Sequence, residues 1–238
     1  MNAFDHHGTV LLKVLIIFVI LGILFVLFLP SVEEPRSAAR LRTSKINLKQ
    51  IGLALHIYHD EHDSLPPAYT VDEQGNRLHS WRTLILPYLE EKELYDAIDL
   101  TKPWDDPANA HALEKIPQCY QCPGADIDQL KTIYLGIAAE GGIFASSEPV
   151  SFKQITDGTS KTLAVTEAPL EYAVHWMQPT DADENVLKSI SPEVEVAFRG
   201  LLQAVMVDGS TNFINLQISQ EELKSLSTYA GGEESEND

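Results

Sequence analysis

Cysteine is scarce in this sequence: Cys119 and Cys122 are the only two among 238 residues. A single C-x-x-C pair excludes a multi-disulfide scaffold. It also excludes a four-cysteine zinc site, which needs a second pair at recognisable spacing. Basic residues are scarce beyond position 50, where 11 Lys and Arg face 32 Asp and Glu, a net charge of −21. Such a field repels phosphate backbones and anionic lipid, so nucleic acid is not an expected partner. The chain has no G-x-S-x-G, no P-loop and no dinucleotide fingerprint. A lone Ser, His or Asp defines no triad without geometry. No catalytic constellation is legible, no cofactor is implied, and a non-enzyme is expected.

Charge is missing altogether from Val14 to Leu29, sixteen residues that are apolar apart from Gly22. Val10 to Leu12 extend the run if Lys13 bends its stem toward headgroups, giving about 20 residues, enough to cross hydrocarbon at about 1.5 Å per residue. A cleaved secretory signal needs a basic n-region and a small-x-small site; here Lys13 alone precedes the core and Pro30-Ser31-Val32-Glu33 follows it. A retained anchor is therefore expected, with Lys13 as a charge at the membrane end. Arg36, Arg40, Arg42, Lys45 and Lys49 follow the span. Taken alone they place the large domain in the cytoplasm, unless they lie on the polar face of a helix belonging to that domain.

Residues 36–63 read as a helix, because Leu41, Leu48, Ile51, Leu55 and Tyr58 recur at helical spacing and 64-SLPP-67 must stop it. Next, 72-DEQGN-76 reads as a turn, and 80–98 as two short helical pieces meeting at Pro87 behind a Ser80 cap. Strand patterns follow at 132–138, 162–168, 172–177, 202–207 and 211–216, the last two flanking the turn 208-DGS-210. Ser219 with Glu222 forms a capping box for a final helix to about Tyr229, and the tail 231–238 is too polar to fold. The expected division is a short segment 1–9, a transmembrane helix 10–30, an α+β domain 31–230 with a helical stem and an antiparallel sheet, and a disordered acidic tail 231–238.

His56, His59 and His62 are the metal candidates. His56 and His59 are neighbours on a helix, but His62 lies about 240° round from His56, so the three cannot converge. Hydrogen bonds from helix-end histidines to neighbouring loops compete with metal binding. Cys119 and Cys122 lie in an irregular stretch between Pro117 and Pro123, without the strand-to-helix context of a redox pair. A local structural disulfide is expected if the domain is outside the cytoplasm, with redox and metal roles as alternatives. Asp157-Gly158 and Asp208-Gly209 are turn dipeptides first and ligands second. Trp81, Trp104 and Trp176 are core residues before they are sugar-stacking platforms.

Several segments, in order, resemble the bacterial prepilin-type proteins with domain of unknown function 1559 (DUF1559), named for an H-x9-DG motif. They are 47-NLKQIGLALHIYHDEHDSLPPA-68, 80-SWRTLILPYLE-90, 103-PWDDPAN-109, 122-CPGA-125, 155-ITDGTSKTLAVTEA-168 and 206-MVDGSTNFI-214. The resemblance implies a pilin-like α+β domain outside the inner membrane of a bacterium, N-terminus in the cytoplasm. It puts Asp208 and Gly209 in the motif, with Phe198 where the histidine stands. The family's leader glycine is followed by Phe at +1 and Glu at +5; here Gly8 is followed by Thr9, with Lys13 at +5. The leader departure points to an anchored stem without assembly chemistry, and Phe198 argues against any activity tied to the motif's histidine. The expected function is a single-pass, membrane-anchored binding or scaffolding module facing the periplasm, with a protein, solute or glycan ligand. The alternatives are a pseudopilin subunit of a secretion or pilus machine, and a periplasmic metal- or thiol-dependent enzyme.

Overall fold

Apolar spacing, caps and prolines set most element boundaries. The computed structural model describes residues 4–28, 33–198 and 200–231, with side chains over 10–23 and from 36 onward. The chain divides into two compact units, Met1–Ala38 and Ala39–Asp238. That division lies eight residues beyond the expected boundary at 30/31, and α2 (Glu33–His62) begins before it.

The first unit contains α1 (Phe4–Phe28). The helix begins inside the segment 1–9 expected to precede it. Residues 10–23, Lys13 among them, are all exposed. Among the described residues no helix is long and apolar enough to cross a membrane. The span read over 10–30 extends into residues 24–30, whose side chains lie outside those described, as does the tail after Gly231.

In the second unit α2 ends at His62, and Asp63 turns left-handed (φ 57°) ahead of the prolines. Pro35 occupies the helix's first turn, where its missing N–H costs nothing. The turn 72–76 closes a hairpin of β1 (Tyr69–Val71) and β2 (Arg77–Ser80) that the sequence pattern does not reveal. Ser80 caps α3 (Trp81–Leu84) by accepting from Arg82 N, and a 3-10 turn through Pro87 leads to α4 (Lys92–Asp96) and α5 (Ala110–Leu113). The expected strand 132–138 divides into β3 (Lys131–Thr132) and β4 (Tyr134–Gly136). Next come β5 (Leu163–Glu167), β6 (Val174–His175), α6 (Glu184–Ser189), β7 (Leu201–Met206), β8 (Thr211–Asn215) and α7 (Gln220–Ser227). Ser219 Oγ accepts from Glu222 N at the start of α7, as the capping pattern requires.

The main sheet is antiparallel in the order β4-β5-β7-β8, while β3 pairs with β6 apart from it. One face carries Val165 and Val205 into a core with Leu48, Ile51 and Leu55 of α2. The other carries Leu163, Leu202 and Ala204 onto Val186 and Leu187 of α6 and Leu223 of α7. With both faces covered, β5 and β7 are buried nearly throughout. Gly52 lets α2 lie close on the sheet: a Cβ there would stand 2.8 Å from Val205 Cγ2 and 3.4 Å from Gly209 Cα. Trp81 and Trp176 are fully buried core residues, and Trp104 packs half-buried on His175.

Candidate functional site

A cleft of about 680 Å³ opens between α6, α7 and the 139–141 loop, inside the usual size range for small-ligand sites. Its floor is apolar, from Ala139, Leu187 and Leu223, and its rim is charged, from Glu140, Glu184, Lys188 and Lys224. Tyr229 is fixed at the edge by its backbone N–H, which donates to Gly141 O at 3.0 Å. Lys188 pairs with Glu184 one helical turn away at 2.8 Å; their hydrogen bond lowers the carboxyl pKa and raises that of the amine. Ser227 and Thr228 hydroxyls donate to Leu223 O and Ser225 O. The cleft offers an apolar floor, two cations and carboxylates, a set suited to holding a polar solute.

A second group is buried between α2 and the sheet. The Glu167 carboxylate accepts from Ser44 Oγ of α2 in a short hydrogen bond, from Gln203 N of β7 at 2.8 Å, and from Gln203 Nε2 at 3.3 Å. Tyr134 OH lies 2.7 Å from the same serine oxygen, and Cys122 Sγ lies 3.9 Å from Glu167. No cation pairs with Glu167 among the described residues. Burial outweighs its hydrogen-bond donors and raises its pKa from 4.5 to about 7. A serine beside a carboxylate resembles an activated nucleophile, but Ser44 is fully buried and does not line the cleft. The group therefore joins stem helix to sheet.

A third node holds the loop 176–181. Arg82 and Asp181 pair at 2.7 Å with the arginine side chain fully buried. Arg82 also donates to the carbonyls of Trp176, Gln178 and Thr180. Asp181 Oδ1 additionally accepts from Trp81 Nε1 and Gly136 N. Neither this pair nor Glu167 stands out in the sequence as a site residue. A glutamate inside the apolar run 162-TLAVTEA-168 is the available signal for Glu167; Arg82 reads like any surface base.

The metal candidates are taken up by loops. His56 Nε2 lies 2.8 Å from Val207 O, while His59 stacks on Phe152 at 3.7 Å and accepts from its backbone N–H. Among the described residues no group of three His, Cys, Asp or Glu side chains forms a metal site. The expected disulfide is not formed in the structure, where Cys119 and Cys122 are both free and buried. Cys119 lies in the 3-10 turn Gln118–Tyr120 with Glu91 near it, whereas Cys122 faces Glu167. Burial, with those carboxylates, raises their pKa values to about 12 and about 11, leaving both as unreactive thiols.

Gly158 and Gly209 have φ 98° and 80°, as turn glycines require. Asp157 accepts from Gly231 N and Asp208 from Ser210 N. The H-x9-DG spacing brackets β7: Phe198 precedes the strand, packing on Gly124 beside Cys122, and Asp208-Gly209 turns after it. The two ends of the motif therefore lie about a strand length apart, roughly 20 Å, and do not meet in one site.

A helix-backed antiparallel sheet with an open cleft and no metal cage among its described residues defines a class of α+β domain. Residues 33–194 match the family model described as "Protein of unknown function (DUF1559)", and the chain belongs to that family. The match ends before Phe198 and Asp208. No curated protein and no solved structure matches the chain.

Proposed function

We propose that this protein is a binding or scaffolding module tethered to a bacterial inner membrane by α1, with its acidic domain on the periplasmic side. The observation that carries the binding role is the cleft of about 680 Å³ with an apolar floor and charged rim. A half-buried tyrosine beside lysines and carboxylates suits a polar solute, a short glycan or a protein side chain. The tethering rests on the sixteen-residue uncharged run Val14–Leu29 and on the family resemblance.

The binding role is tested by calorimetric titration of the full chain in detergent with a panel of oligosaccharides, amino acids and polyamines. One class should bind, and Lys224→Ala or Tyr229→Ala should weaken it about tenfold, the loss of about one charged or ring contact. Binding unchanged in both variants removes the cleft from consideration. A reporter fused to the C-terminus decides the topology: activity of a cytoplasm-only reporter overturns the periplasmic placement. The pseudopilin reading takes support from the apolar side chains exposed along α1. It predicts a mature terminus at Thr9 and protein in sheared filaments; an anchor keeps Met1 or Asn2 in the membrane fraction.

A further inference from the structure

The exposed side of α2 carries a row of bases on an otherwise acidic domain. Ser44, Leu48, Ile51 and Leu55 turn inward. Arg42, Lys45 and Lys49, at i, i+3 and i+7, follow one another along the opposite side. Arg42 and Lys49 are exposed and Lys45 is half-exposed. None of the three has a carboxylate partner among the described residues. Apolar side chains border this row: Ile46 and Leu53 are 47 % and 62 % exposed. Phe213 of β8, 49 % exposed, lies beneath the Lys45 ammonium, 5.7 Å from the ring centre. Bases and large apolar groups left uncovered side by side are costly for a solvated face and fit a partner that is both anionic and apolar.

We propose that the strip formed by Arg42, Lys45, Ile46, Lys49, Leu53 and Phe213 docks on the anionic phospholipid headgroups of the membrane. The proposal rests on the tethered reading of α1. Arg42 comes thirteen residues after Leu29, at most about 45 Å of chain, so a tethered domain keeps the strip within reach of headgroups at high effective concentration. The bases meet the phosphates while Ile46, Leu53 and Phe213 enter the acyl boundary. The rest of the domain supplies direction. Its net charge of −21 from position 50 onward is repelled by the same surface, so the basic strip turns toward the bilayer and the acidic faces turn away.

The test uses the full chain in nanodiscs of pure phosphatidylcholine or of phosphatidylcholine with phosphatidylglycerol. Leu53→Cys carries a bimane fluorophore, and the lipids carry a headgroup nitroxide quencher. The buried native thiols leave position 53 as the reactive one. Quenching is expected with phosphatidylglycerol, and should vanish at about 1 M salt, where the Debye length is about 3 Å. In Arg42→Glu/Lys45→Glu/Lys49→Glu the docked fraction should fall about 100-fold or more, with an unchanged thermal melt showing that the domain is intact. Equal quenching in neutral discs, or none in anionic ones, overturns the proposal. Concentration-dependent crosslinking between two labelled copies without lipid dependence also overturns it, in favour of a second copy as occupant. Retention in discs after a salt wash tests the tether separately. If the chain washes off, the tethered reading fails and co-sedimentation with anionic against neutral vesicles decides the strip: no preference for the anionic vesicles overturns it.

Discussion

Replacing Glu167 by Gln removes a buried carboxylate that has four protein donors and, among the described residues, no cation. Its folded-state pKa is about 7 against an ordinary 4.5, so the folded chain holds the proton more tightly than the unfolded chain. The stability this supplies is whole below about pH 4.5 and is lost as the pH rises through about 7, a total of about 3 kcal/mol. The one oxygen of the neutral amide accepts from Gln203 N, and its N–H groups take the Oε1 position. There Ser44 Oγ can accept once its own proton turns to Tyr134 OH, and the Gln203 amide, turned over, presents an Oε1 that is otherwise buried without a partner. Wild type and Glu167→Gln should therefore have similar stability near pH 5. Above about pH 8 the variant should lead by about 3 kcal/mol, about 6 to 12 °C in melting temperature for a domain of this size. Thermal unfolding in micelles, followed by fluorescence of the buried Trp81 and Trp176, gives the two profiles. Parallel profiles across that range would refute the assignment of Glu167 as an uncompensated buried acid.

Arg82→Met should destabilise by about 3 to 5 kcal/mol, because it leaves Asp181 charged and buried without its partner; denaturant titration measures this, and a loss below about 1 kcal/mol would show the pair to be dispensable. Gly52→Val should cost about 1 to 3 kcal/mol by forcing α2 off Val205, read from the same titrations, with no loss if the helix does not lie close on the sheet. Protein isolated without reductant and then unfolded should take up two alkyl groups at Cys119 and Cys122, and almost none while folded; mass measurement that finds no labelling after unfolding would restore the disulfide.

Local chemistry was legible in the sequence wherever a few neighbouring residues decide it. The spacing of Leu48, Ile51 and Leu55 shows the buried side of α2, 64-SLPP-67 its end, Ser80 and Ser219 two helix starts, and 208-DGS-210 the turn between β7 and β8. The charge imbalance and the DUF1559 resemblance were likewise readable directly, the latter because its segments run in order along the chain. Partners far apart in sequence were not legible. Ser44 reaches Glu167 across 123 positions and Arg82 reaches Asp181 across 99, and a polar residue shows nothing of its burial until the elements around it have packed. Packing also decided the fate of the histidines and thiols. His56 and His59 have suitable ligand spacing, but the 207 and 152 loops reach them; Cys119 and Cys122 are close in sequence, but one side chain is set in a 3-10 turn and the other faces Glu167. Sequence alone determined the periodicities, the turns and the net field; the tertiary structure decided which charges lie in low dielectric, because burial is a property of surfaces brought together and not of any one stretch of chain.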